Sequence, residues 1–94
     1  MQAKAWKGGT YGVRVGTRNA ARYFSKSWKF VDVELDGNFY RVRLGDTFWG
    51  ACPELRGAAF GNWLARRGLD AWPRGKPPSL ELTPTEGNRF RLQG

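Results

Sequence analysis

The segment Arg14-Val15-Gly16-Thr17-Arg18-Asn19-Ala20-Ala21-Arg22 gathers side chains suited to reading nucleic acid. Arginine carries a planar fork of donors that matches the O6/N7 edge of guanine, and an asparagine amide matches the N6/N7 edge of adenine. Arg18 and Asn19 stand together where a strand is expected to pass into a helix, a connection that projects from a sheet. Arg14, Arg22, Lys26 and Lys29 surround them and suit phosphate contacts, which seat a protein on its target without reading sequence. Trp49, in a glycine-bearing loop, offers a ring on which bases or sugars can stack.

Other chemistry has little to work with. The 94 residues include no His and one Cys. That excludes intramolecular disulfides, zinc-finger ligand sets, haem ligation by His, and Ser-His or Cys-His nucleophile pairs. Acid–base work would fall to carboxylates or Lys. Asp46 and Glu54 flank the loop 47–53 and could hold Mg²⁺. Simpler duties account for most acids: Asp32, Glu34 and Glu81 as cross-strand partners, Glu54 at a helix start, Glu86 in a turn. Cys52 reads as a small packing residue. The expectation is a non-enzymatic protein without a cofactor.

Sixteen Lys and Arg against eight Asp and Glu give a net charge of +8. The excess is uneven: residues 1–29 carry +7 with no acid, 30–63 carry −2, and 64–94 carry +3. A concentrated basic block, its seven cations expected on a common face, is the footprint of a nucleic-acid surface, with DNA as the favoured partner. A solvated basic face, an acidic protein partner, or a single-stranded nucleic acid or RNA stacking on Trp28 and Trp49 are the competing readings. No apolar run approaches the roughly 20 residues that span a bilayer, so no membrane partner is expected. The polar start lacks a signal-peptide core, and the expected location is intracellular.

The elements that must position these residues follow from periodicity. Residues 1–10 read as a flexible basic arm ending in Gly8-Gly9, and 11–94 as one domain. A strand at 11–15 puts Tyr11, Val13 and Val15 on one face, and a short helix at 17–26 takes Thr17 as its N-cap. Alternation over 28–44 gives a hairpin. A Gly37-Asn38 turn sets Glu34 opposite Arg41 and Asp32 opposite Arg43, neutralising both arginines. An Asp36-Gly37 turn instead matches Asp32 with Arg41 and leaves Arg43 opposite Phe30; the first register is preferred. A second helix from 53 or 54 to 67 carries Leu55, Ala59, Phe60, Trp63 and Leu64 as its apolar stripe, with Pro53 in the first turn. Residues 69–78 form a proline-stiffened link. A closing hairpin with the loop Thr85-Glu86-Gly87 pairs Leu82 with Phe90, Leu80 with Leu92 and Glu81 with Arg91. Trp63, Phe60, Phe90 and Tyr40 are expected inside. The fold class is α+β: a small, largely antiparallel sheet curled into a pseudobarrel with two short helices.

This order resembles the DNA-binding pseudobarrel family of plant auxin-response-type transcription factors and of restriction-endonuclease effector domains. The resemblance rests on Val13-Arg14-Val15 leading into residues 17–24, on the hairpin 31–44, and on Arg56-Gly57, Phe60, Trp63-Leu64 and Gly68-Leu69, and covers roughly residues 12–92. It implies two projecting arms that grip the major groove. The first maps to Arg14, Arg18, Asn19 and Arg22, the second to the loop around Trp49 and Arg56. Two positions depart from the pattern: Gly16-Thr17 replaces the usual Pro of the first arm, and 74–78 lacks the Gly-Asp before the late strand.

Overall fold

Seven strands and two helices follow one another in a computed structural model that describes residues 1–94. They are β1 (Gln2–Gly8), β2 (Thr10–Arg14), α1 (Thr17–Tyr23), β3 (Phe30–Leu35), β4 (Asn38–Arg43), β5 (Glu54–Arg56), α2 (Ala58–Arg66), β6 (Ser79–Pro84) and β7 (Arg89–Gln93). All strands join one sheet in the order β4-β3-β7-β6-β1-β2-β5, antiparallel throughout except for the parallel pair β3–β7. The sheet curls almost to closure, and the α+β barrel-like fold expected from periodicity is the fold observed. Its two edges, β4 and β5, line a common cleft.

Inward alternation builds the core. Val13, Val31, Val33, Leu35, Leu55, Leu82 and Phe90 are buried from the strands, and α2 adds Phe60, Trp63 and Leu64. Phe24 stacks on Phe90 with ring centres 4.7 Å apart, which fastens the end of α1 over the sheet. Tyr40 lies on the edge strand β4 and is 38% exposed rather than inside, because no further strand covers it.

Residues 2–8 are not a flexible arm. Ala3 and Ala5 point into the core while Gln2 and Lys4 face water, and β1 pairs with both β2 and β6. The β3–β4 hairpin turns at Asp36-Gly37, with φ of 54° and 86°. Two successive positive φ values match the strand twist, and Asp-Gly supplies them at low cost. Asp32 therefore lies opposite Arg41, and Arg43 opposite Phe30, against the preferred register. The closing hairpin is shifted likewise, pairing Leu82 with Leu92 and Pro84 with Phe90, so Arg91 meets Glu34 of β3 instead of Glu81.

The second helix begins later than its sequence suggests. Glu54–Arg56 extend as β5 against β2, and α2 starts only at Ala58. Pro53 fits a helix start, but the tertiary pairing of Leu55 with Val13 decides the conformation. The first helix is also shorter than expected, ending at Tyr23, and Gly16 rather than Thr17 occupies its N-cap position.

Candidate nucleic-acid interface

The residues singled out around α1 separate into a tied group and a free group. Arg14 and Glu54 are register partners on the outer face of β2 and β5. Arg14 donates from Nε and Nη2 to Glu54 Oε2 at 3.0 and 2.8 Å, and Arg56 donates to Oε1 at 2.8 Å. The Glu54 side chain is only 3% exposed. Three charge-assisted hydrogen bonds from two guanidiniums are what make that carboxylate tolerable at such burial. Both oxygens being held by arginine, Glu54 is a clamp between strands rather than the helix-start residue expected.

Arg56 is further occupied on its other side. Trp6, Gly12 and Arg56 form one row across β1, β2 and β5, and the Arg56 guanidinium lies 4.6 Å from the centre of the Trp6 ring. A side chain at Gly12 would intrude: a Cβ there would sit 2.3 Å from the Leu55 carbonyl oxygen. The missing side chain lets the β5 backbone approach β2 closely, and the tryptophan and the arginine meet across the same row.

Asn19 is also committed. Its Nδ2 donates to the carbonyls of Gln2 at 2.9 Å and Val15 at 3.1 Å. With the amide donor spent on β1 and on the β2–α1 connection, the donor-and-acceptor pairing that reads adenine cannot form. Asn19 pins the start of α1 to the sheet, which corrects its expected role as a base reader.

The free group is Arg18, Arg22, Lys26 and Lys29, all exposed and none within an ion pair. Arg18 and Arg22 are one turn apart on the face of α1 away from buried Ala20. Lys26 follows the helix and places its ammonium 5.8 Å from the Trp49 ring centre. Thr17, Ala21, Lys26, Trp49 and Gly50 line a recess of about 180 Å³ between α1 and the loop before β5. The backbone N–H groups of Val15 and Gly16 both donate to the Pro53 carbonyl, at 2.9 and 3.3 Å, and so hold the two segments together. The first strand-helix connection and the Trp49 loop, far apart in sequence, thus share one flank.

Two further expectations are revised. Trp28 is half-buried, packed edge-on against Phe24 and Phe90 at 6.2 and 6.3 Å, and is not a free stacking platform. The seven cations of residues 1–29 do not share a single face: Lys4 stands beside Arg14 on the outer face, whereas Lys7 lies opposite Tyr11, its ammonium 5.5 Å from that ring. No helix is long and apolar enough to cross a membrane. Set against known protein families, curated proteins and solved structures, the chain finds no match.

Proposed function

We propose that this protein is a non-enzymatic, intracellular DNA-binding domain of the pseudobarrel type that grips duplex DNA with the flank formed by α1 and the Trp49 loop. The observation that carries the reading is the run Arg18, Arg22, Lys26 and Lys29 along α1 and the turn after it, four exposed cations with no carboxylate bound to any of them. Elsewhere six arginines bind carboxylates and Arg43, Arg74 and Arg89 do not; along this stretch no cation does. Arg18, without a partner and one residue into α1, is the base-reading candidate, while Arg22, Lys26 and Lys29 anchor phosphates. Arg14, half-exposed beside Glu54, extends the anion-attracting surface toward Lys4. Trp49, half-buried under Lys26, packs against the sugar-phosphate edge of the groove rather than between bases.

Titration of the protein against duplex DNA, single-stranded DNA and RNA of one sequence at two salt concentrations tests this. The proposal expects duplex DNA to bind most tightly and to weaken steeply with salt, because each neutralised phosphate releases counterions. Tighter binding to single strands, or affinity indifferent to salt, would remove it.

A further inference from the structure

The sheet stops just short of closing, and its two edges are chemically unequal to a finished barrel. In an antiparallel ladder, alternate residues bond one neighbour while those between point their backbone groups the other way. Leu44 N–H bonds the Lys29 carbonyl at 2.9 Å, so the backbone groups of Phe39, Arg41 and Arg43 turn outward from β4. Gly57 N–H bonds the Tyr11 carbonyl and Val15 N–H the Pro53 carbonyl, so those of Glu54 and Arg56 turn outward from β5. Arg41 and Arg43 of β4 and Glu54 and Arg56 of β5 line one cleft of about 370 Å³, which Val42 and Phe48 and the loop that joins the strands also line.

Of the outer-face side chains along this seam, Arg41 and Glu54 have an opposite charge in their own row, whereas Arg43 and Arg56 do not. Inside the sheet the pattern is regular: Arg41 bonds Asp32 across β4–β3 at 3.1 Å, Arg91 bonds Glu34 across β7–β3 at 3.3 Å, and Arg14 bonds Glu54 across β2–β5. Arg43 has only Phe30 as its row neighbour and no ion pair. Arg56 meets Gly12 and Trp6 in its row and reaches along its own strand to share Glu54. A strand laid in the seam would place its outward side chains beside Arg43 and Arg56 and its inward ones over Val42 and Phe48.

We infer that the seam between β4 and β5 binds an extended acidic peptide segment by edge pairing, with carboxylates at alternate positions and small apolar residues between them. Backbone hydrogen bonds supply the attachment and the arginine rows select the sequence. The chain's own β3, Val-Asp-Val-Glu-Leu, shows the pattern that such arginine-bearing strands accept. The cleft shares no lining residue with the α1 recess, and the inference does not rest on DNA binding.

Amide hydrogen exchange, followed by NMR on the full chain, tests the inference with a capped peptide of alternating Glu and Val. The amides of Arg41, Arg43 and at least one of Glu54 and Arg56 should slow about tenfold or more when the peptide is added. The same peptide with Lys in place of Glu should leave them unchanged. The exposed substitution Arg43→Glu should abolish the slowing while keeping the exchange pattern of the unbound protein. Absence of slowing, or equal slowing by the Lys peptide, overturns the inference; the arginines then serve only to keep two copies from pairing edge to edge. Slowing of these amides by a single-stranded oligonucleotide and not by the acidic peptide would overturn it in favour of a nucleic-acid groove.

Discussion

Two basic regions of this molecule carry similar side chains and are used differently. On the sheet and at the end of α2, Arg14 and Arg56 share Glu54, Arg41 takes Asp32, Arg91 takes Glu34, and Arg66 and Arg67 converge on Asp36. Along α1 and the turn that follows, Arg18, Arg22, Lys26 and Lys29 have no such partner. In the first region the arginine is a strap that joins one element to another. In the second the charge is left to the solvent and whatever anion arrives from it. Formal charge therefore overstates what is available to a ligand, and the position of carboxylates, more than the number of cations, marks the binding surface.

The sharpest way to break the strapped region is Gly12→Ala. Its new methyl group meets the Leu55 carbonyl oxygen, so β5 must shift from β2 and carry Glu54 away from Arg14. We expect a loss of about 3 kcal/mol in urea unfolding, at the upper end for overpacking. Glu54→Gln keeps the shape but removes the charge, and should cost about 2 kcal/mol of stability, read the same way. It also converts one region into the other: with Arg14 and Arg56 released, the salt dependence of duplex binding should steepen by up to about two phosphate contacts. An unaltered salt slope would place those two arginines outside the DNA surface.

Within the free region, Arg18→Ala is expected to weaken duplex binding by about 1.5 kcal/mol and to relax preference at one base pair. Lys26→Ala should weaken all sequences alike. If the two variants behave identically across a panel of single-base changes, Arg18 reads no base. The smallest effect concerns Asp36, whose carboxyl is held below its usual range chiefly by the Arg67 hydrogen bond. A lowered folded value means the contribution is complete above the unfolded value near pH 4 and fades as the pH falls through the folded one. Melting temperature followed downward from pH 5 should therefore fall less steeply in Asp36→Asn than in the parent protein.

Alternation and helical spacing made the fold class legible: the hairpin over 31–44, the apolar stripe Phe60, Trp63 and Leu64, and the closing pair of strands all appear. What escaped was set by contacts distant in sequence. Ala3 and Ala5 alternate with polar neighbours, yet alanine has little strand preference and the glycines after them suggested a loose arm. Only β2 and β6 on either side make β1 a strand. Pro53 and Glu54 carry the local marks of a helix start, while Glu54 and Arg56, two apart, carry the spacing of one strand face. The outcome turned on pairing with Val13 and Arg14 of β2, about 40 residues earlier, which no local window contains. Hairpin register was decided by backbone conformation at Asp36, which side-chain pairing alone did not weigh.

The central claim is that the exposed cations of α1 and its following turn meet the phosphates of duplex DNA. The most direct measurement is the salt dependence of duplex binding for the parent chain beside a variant carrying Arg22→Ala, Lys26→Ala and Lys29→Ala together. The account predicts a salt slope shallower by about three phosphate contacts, with folding stability unchanged to within about 0.5 kcal/mol for each exposed substitution. Parent and variant sharing the same slope, or a parent that fails to bind duplex at low salt, would contradict it.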